Sequence, residues 1–165
     1  MRKGITIRRR LDLEKSEETE ILWVEIKGKD ETMAGLLIGV VYRRPTLGRR
    51  DYERLEEAMR DGVLAAVNEG LEVLIGGDFN AHAKEWDTLA VENEWGVKIK
   101  ELMEELNLIN GTAKWVRNAI TYECAVRKSV LDLVFASAGG SSSHCHGGGS
   151  EAGIRVNTRP LPGID

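Results

Sequence analysis

Residues 74–86 read LIGGDFNAHAKEW. The apolar run LEVLI at 71–75 predicts a buried strand, and Gly76–Gly77 are predicted to end it. Asp78 and Asn80 follow two positions apart, so in an extended segment their side chains would project to the same side. Because ligands bind beyond the carboxyl ends of strands in open α/β sheets, the stretch predicts a ligand site. An Asx turn at a strand end is the structural alternative.

The surrounding sequence predicts an α/β fold. Hydrophobic periodicity indicates four strands and two helices. The strands are expected near 20–27, 36–42, 71–75 and 130–135, and the helices near 51–69 and 97–107. The order of strand, helix and strand between 36 and 75 predicts a right-handed crossover between parallel strands.

The composition excludes several classes of protein. A length of 165 residues, 42% hydrophobic and 30% charged, is typical of one soluble globular domain. No apolar run approaches the ~20 residues of a membrane span. The start, MRKGITIRRR, lacks the apolar core of a secretory signal, so secretion is not expected. Two cysteines cannot form a disulfide framework, which favours a reducing compartment.

The charge is unevenly distributed along the chain. The net charge is −4, yet residues 1–10 contain five basic side chains and no acidic one. Such an arm could contact phosphates, and the alternative is a solvated strand edge. The pI near 5.5 argues against binding nucleic acid by bulk charge alone.

The chain changes character after Ala138. Residues 139–165 hold 7 of the 18 glycines and 2 of the 3 prolines, without helical or strand periodicity. We therefore predict one domain over 1–138 and a Gly/Ser-rich, mostly disordered tail over 139–165.

An ordered series of motifs resembles the endonuclease/exonuclease/phosphatase superfamily. Tyr42-Arg43-Arg44-Pro45 ends one predicted strand, GDFNAH at 77–82 ends the next, NEWG at 93–96 opens a helix, and SVLDLV occupies 129–134. The pattern is most similar to the endonuclease domains of non-LTR retrotransposons and covers residues 5–137. The resemblance implies part of an α/β sandwich, with mixed sheets flanked by helices.

The resemblance also implies four catalytic residues. Tyr42 would contact the scissile phosphate, and Asp78 would orient or deprotonate the attacking water. Asn80 would stabilise the transition state, while Asp132 would orient a catalytic histidine. A Mg²⁺ or Mn²⁺ cofactor is implied as well, with Asp78 and Asn80 among its ligands.

Four further residues are expected to bind the substrate. Arg43 and Arg44 could contact phosphates beside the site, with a solvated loop as the alternative. His82 and Trp86 follow the GDFN motif and would line the DNA groove, with loop packing as the alternative. Trp95 is expected to be a packing residue, with base stacking as the alternative.

Two departures from the family pattern concern completeness. The family's metal-binding Glu and an early Asn have no counterpart, so we expect part of the sandwich to be missing upstream of Met1. The Ser-Asp-His sequence that closes the family's domain is echoed only by Ser142-Ser143-His144, which lacks the Asp.

The function implied is that of a metal-dependent DNA endonuclease from a retrotransposon polyprotein that also carries a reverse transcriptase. Such an enzyme would act in the nucleus and would need no membrane. One alternative is a phosphatase or lipid phosphodiesterase of the same fold, although Ala81-His82 favours the retrotransposon branch. The other is a non-catalytic remnant that binds DNA weakly. The oligomeric state is left open.

Overall fold

The computed structural model describes residues 4–14, 20–28, 34–88, 91–112, 122–124, 127–129 and 132–138. Within them, eight strands accompany two α-helices and a 3-10 turn at Leu11–Leu13. The strands are β1 Ile5–Arg9, β2 Ile21–Gly28, β3 Leu36–Tyr42, β4 Glu72–Asp78, β5 Leu108–Asn110, β6 Tyr122–Cys124, β7 Arg127–Ser129 and β8 Asp132–Ser137. The helices are α1 Arg49–Glu69 and α2 Glu94–Glu105. The predicted tail at 139–165 lies outside the described residues.

Six of the strands form one mixed sheet in the order β1-β2-β3-β4-β8-β5, while β6 and β7 pair separately. β3 and β4 are parallel, and the other neighbours in the sheet are antiparallel. Since α1 connects β3 to β4, the predicted crossover between parallel strands is confirmed. The predicted α/β class, with a mixed sheet and flanking helices, is confirmed too.

Two predicted boundaries were wrong. α2 begins at Glu94 rather than near 97, because the Asn93 side chain caps it by accepting a hydrogen bond from the Gly96 N–H at 2.8 Å. β4 does not end at Gly76–Gly77 but continues to Asp78. Both glycines stay in register with strands on either side, so the ladder is not interrupted there.

The hydrophobic core lies between α1, α2 and one face of the sheet. Its largest members are fully buried side chains from both layers: Trp23, Leu37, Ile75, Leu133 and Phe135 from the sheet, and Tyr52, Leu55, Met59, Ile99 and Leu102 from the helices. Trp23 packs so closely against α1 that a Cβ on Gly62 would lie 2.1 Å from its ring. This contact explains a glycine inside a helix, where the residue otherwise disfavours helix formation.

The other face of the sheet is apolar but more open. Leu22, Val24 and Ile38 are half-buried, and Val40 is exposed. The alternation of buried and half-buried residues along β2 is the pattern of a strand with one tightly packed face.

The basic N-terminal segment forms a strand edge, which was the alternative to a free arm. β1 pairs with β2, and Arg8 contacts Glu25 at 2.8 Å. Arg10 is buried, and its guanidinium binds Glu25 and Glu69. Both cations are therefore paired with carboxylates of the protein, Arg10 in the interior and Arg8 at the surface.

Among the residues that the structure describes, no helix is long and apolar enough to cross a membrane.

Candidate active site

Three of the predicted catalytic residues lie side by side across three neighbouring strands. Tyr42 ends β3 and is in register with Asp78, which ends β4. Asp78 is in turn in register with Asp132, which begins β8. Residues paired across neighbouring strands point to the same face of a sheet, so the three side chains share one face and one edge. We call these residues the three-strand row.

The three-strand row is the polar end of the open sheet face. The preceding row on that face consists of Val40, Gly76 and Val134. Tyr42 is 49% exposed, Asp132 is exposed and Asp78 is half-buried, so a large substrate can reach the row from solvent. Asp132 also has a partner within the protein.

Gly77 allows β3 and β4 to come close together just before the row. Its φ is +147°, and a Cβ at this position would lie 1.9 Å from the Val41 carbonyl oxygen. Any larger residue would push β4 away from β3 and displace Asp78 from Tyr42. A glycine is therefore required here by the close approach of two strands.

Asn80 occupies a turn rather than the extended segment that the sequence predicted. Its φ is +45°, in the left-handed region, and its N–H donates to Asp78 Oδ1 at 3.0 Å. This is an Asx turn, the structural alternative. The turn and a ligand site are compatible, since Asp78 Oδ2 carries no hydrogen bond among the described residues and the Asn80 amide keeps one donor beyond its bond to the Arg43 carbonyl.

Arg43 lies inside the protein, unlike the solvated loop or phosphate contact considered for it. It is 2% exposed, and its Nε and Nη2 donate to the carbonyls of Phe79 and Asn80, each at 2.6 Å. Burial lowers the pKa of its guanidinium. Its substrate-binding role stays a prediction, and the geometry favours a different one.

The other predicted substrate-binding residues differ in exposure. The Arg44 side chain is about half exposed and pairs with Glu20 at 2.7 Å. His82 is half-buried beside Asn80. Trp86 is 8% exposed and donates to the Ala81 carbonyl at 3.0 Å, while its ring meets Phe135 edge-on. Arg44 and His82 are therefore partly accessible and their substrate-binding role stays a prediction, whereas the geometry of Trp86 favours loop packing.

Two further residues, Asn93 and Trp95, support this loop, and of these the sequence predicted only a packing role for Trp95. Asn93 Oδ1 accepts from the His82 N–H at 3.1 Å as well as capping α2, so it ties the helix to the loop. The Trp95 ring lies 5.0 Å from the Arg43 guanidinium and 4.8 Å from the Tyr52 ring. An Asn just before a helix is a recognisable capping signal, whereas nothing in the sequence pairs Trp95 with Arg43.

The three-strand row suits a hard divalent cation such as Mg²⁺ or Mn²⁺. Two carboxylates directly opposite each other on neighbouring strands repel, and a cation between them would relieve that cost. Asp78, Asp132 and the Asn80 amide supply oxygen donors, and Mg²⁺ commonly binds through one or two carboxylates while keeping several waters. In the described part of the chain, no three or more His, Cys, Asp or Glu side chains form a metal cluster.

Comparison with known proteins assigns the chain to a family. Residues 36–153 match the family model described as endonuclease-reverse transcriptase. None of the curated proteins matches the chain significantly.

One solved structure shares the fold at low sequence identity, and two further structures are similar over part of it. The endonuclease domain of TRAS1, a telomere-specific non-LTR retrotransposon, superposes with a TM-score of 0.63 at 16% identity, covering 81% of this chain and 56% of that one. An endonuclease/exonuclease/phosphatase family protein from Bacteroides thetaiotaomicron gives 0.43 at 13% identity, over 72% and 41%. A mannosyl-6-phosphatase from the same organism gives 0.45 at 12%, over 72% and 42%. The chain thus spans about half the length, or less, of these structures.

The family model covers more than half of the chain, and its matched region contains the whole three-strand row together with the Arg43 and Asn80 loop contacts. The chain belongs to the endonuclease-reverse transcriptase family, within the endonuclease/exonuclease/phosphatase superfamily.

Proposed function

We propose that this chain carries the phosphodiester-hydrolysing site of a DNA endonuclease that depends on Mg²⁺ or Mn²⁺. The observation that carries the proposal is the register of Tyr42, Asp78 and Asp132 across β3, β4 and β8. Hydrolysis of a phosphodiester needs an oriented water, donors for the charged phosphate and a cation. In this proposal Asp78 orients the water, and Tyr42 and Asn80 have donors for the phosphate. The two carboxylates of the row and the Asn80 amide oxygen are ligands for the cation.

Each residue has a role that its placement supports. Asp78, half-buried, orients the attacking water or accepts its proton. Asn80 is held by its bond to the Arg43 carbonyl at 2.8 Å and directs its second amide hydrogen toward a phosphate oxygen. The exposed Tyr42 hydroxyl donates to the phosphate from the neighbouring strand. Asp132 would orient a catalytic histidine through one carboxylate oxygen and bind the cation through the other.

Asp78, Asp132 and the Asn80 amide oxygen would hold the cation. When bound, it supplies Lewis-acid stabilisation of the charge that develops on the phosphate. The protein's own contribution is to fix these oxygens on adjacent strands before substrate arrives, which avoids reorganisation during the reaction.

DNA is the substrate we infer, with Arg44 and His82 as contacts beside the row. The family description couples an endonuclease to a reverse transcriptase, and the TRAS1 domain is an endonuclease of a retrotransposon. We propose accordingly that the chain acts within such a polyprotein, in the nucleus. Trp86 would support the loop that carries His82, since its indole N–H donates to the Ala81 carbonyl.

The test is nicking of supercoiled plasmid by the purified chain in Mg²⁺, Mn²⁺ or EDTA. We expect nicking only with a divalent cation, and Asp78→Asn should lower its rate by about 10²–10⁴-fold, the usual contribution of a general acid–base group. The matched control is Asp51→Asn, an exposed carboxylate at the start of α1, which should nick like the unmodified chain.

Other outcomes would redirect the proposal. Cleavage of p-nitrophenyl phosphate or a phospholipid analogue without plasmid nicking would favour the phosphatase alternative. A folded chain that binds DNA and cleaves no phosphate ester under any of these conditions would instead identify a non-catalytic remnant. Circular dichroism of each variant separates these cases from misfolding.

A further inference from the structure

Arg43 is the most deeply buried cation beside the candidate active site, and the proposed chemistry does not use its charge. It is 2% exposed, so its guanidinium does not face the solvent from which a DNA backbone would approach. We propose that Arg43 is a positioning residue that fixes the segment carrying Asp78 and Asn80. This inference rests on the proposed function of those two residues.

The contacts of Arg43 cover three consecutive residues of the site. Its main-chain N–H donates to the Asp78 carbonyl at 2.8 Å, and its Nε and Nη2 donate to the Phe79 and Asn80 carbonyls. In return, the Asn80 Nδ2 donates to the Arg43 carbonyl at 2.8 Å. The turn is therefore bound to residue 43 from both main chain and side chain.

The planar geometry of arginine matters here. Nε and Nη2 point in nearly parallel directions, so one rigid group reaches two successive carbonyls. Lysine has a single ammonium on a flexible stem and cannot reproduce this pair of bonds. The two carbonyls belong to the turn in which Asn80 has a φ of +45°, so the bonds stabilise a conformation that non-glycine residues seldom adopt.

Aromatic residues from both helices hold the guanidinium in place. Trp95 of α2 lies over it at 5.0 Å, and Tyr52 of α1 packs against Trp95 at 4.8 Å. Burial of a charge is tolerated only when hydrogen bonds and neighbouring groups compensate it, as the carbonyls and the ring do here. Through this side chain the helices help to set the position of the active-site turn.

The first test is a comparison of Arg43→Ala and Arg43→Lys with Arg60→Ala, a control on α1 that removes contacts to Glu56 and Glu105. A positioning role predicts that Arg43→Ala lowers kcat for nicking about 100-fold, as small misplacements of catalytic groups do, with little change in KM. Millimolar guanidinium, far below denaturing concentrations, should restore part of that kcat. Arg43→Lys should keep the charge and still lose most of the rate.

The same variants separate positioning from a phosphate contact. Loss of a phosphate contact would raise KM and reduce the salt dependence of DNA binding by about one ion, which would overturn the proposal. An unchanged kcat, or a rate loss that guanidinium does not relieve in a variant as stable as the unmodified chain, would overturn it as well.

A second readout does not depend on activity, so it survives failure of the proposed function. Hydrogen exchange measured by NMR reports the Asn80 main-chain N–H and side-chain amide directly. In Arg43→Ala, or in Arg43→Lys if the alanine variant does not fold, these protons should lose protection and regain it with guanidinium, while those of Ile75 in β4 should not change. Unaltered exchange at Asn80 would overturn the proposal even if the chain nicks DNA.

Discussion

Two arginines, Arg10 and Arg43, are buried in the described part of the chain, and they bind different kinds of partner. Arg10 is 5% exposed and binds the carboxylates of Asp12, Glu25 and Glu69. Arg43 is 2% exposed and binds main-chain carbonyls under a tryptophan ring. The first joins the 3-10 turn, β2 and the end of α1, whereas the second holds one turn beside the candidate active site.

Their pKa shifts express the same difference. The hydrogen bonds that Arg10 donates to Asp12 and Glu69 raise the pKa of Arg10, and they outweigh its burial. Burial lowers the pKa of Arg43. A carboxylate partner stabilises the fold through charge, whereas carbonyl partners use the shape of the guanidinium to set positions. We therefore expect stability to depend on Arg10 and geometry at the site to depend on Arg43.

The largest effect on the free energy of unfolding is expected from Arg10→Met. Removing one partner from a buried ion pair costs roughly 3–5 kcal/mol of unfolding free energy, and Arg8 and Lys27 stay beside Glu25 to offset part of that loss. Urea denaturation measures the loss, and nicking per folded molecule should be unchanged. Loss of nicking by molecules that remain folded would contradict the assignment of stability to Arg10 and of site geometry to Arg43.

A smaller effect should appear in the acid range at Glu25. Burial acts to raise the pKa of the Glu25 carboxyl, but hydrogen bonds from Arg8, Lys27 and Arg10 hold it at about 2, below its ordinary 4.5. Its folded pKa is depressed, so its stabilisation is present above pH 4.5 and is lost as the pH falls toward 2. Such a shift corresponds to about 3 kcal/mol.

Glu25→Gln should remove that part of the pH dependence between 4.5 and 2, as followed by urea denaturation at a series of pH values. The matched control is Glu53→Gln, which removes an exposed carboxylate paired with Arg49 on α1. If a Glu25→Gln variant lost as much stability on acidification as the unmodified chain, the ionised Glu25 carboxylate would not be the source of this pH dependence.

The two arginines also show how far the sequence could be read. Each stands in a short basic run, Arg8-Arg9-Arg10 and Arg43-Arg44, and such runs are typical of phosphate contacts or solvated surface. Neither interpretation anticipates burial of one member of each run. Apart from Asp12, the carboxylate partners of Arg10 are 15 and 59 residues away in sequence. The Phe79 and Asn80 carbonyls that the Arg43 side chain binds are 36 and 37 residues away, so only the folded chain brings these groups together.

Elements with strong periodicity were predictable, but the ends of several of them were not. β3 was predicted at 36–42 and is found at Leu36–Tyr42, because a continuous apolar run marks a strand buried in a sheet. β4 was predicted to stop at its glycines, and it continues because β3 and β8 pair with it on both sides. The short strands β1 and β5 carry little periodicity and were not predicted.

The candidate active site was predictable as a set of residues and not as a geometry. The motifs indicated Tyr42, Asp78 and Asp132 separately, but their alignment in one row follows from strand register, which no local pattern specifies. The left-handed turn at Asn80 likewise depends on Arg43.

The three-strand row is tested most directly as a catalytic site by a map of divalent-cation binding by NMR. Mn²⁺ titrated into the ¹⁵N-labelled chain should broaden the amide signals of Tyr42, Asp78 and Asp132 first, leave those near Arg10 sharp, and lose this selectivity in Asp78→Asn. Strongest broadening elsewhere on the molecule, or a pattern that Asp78→Asn does not change, would contradict the assignment of the three-strand row as the catalytic site.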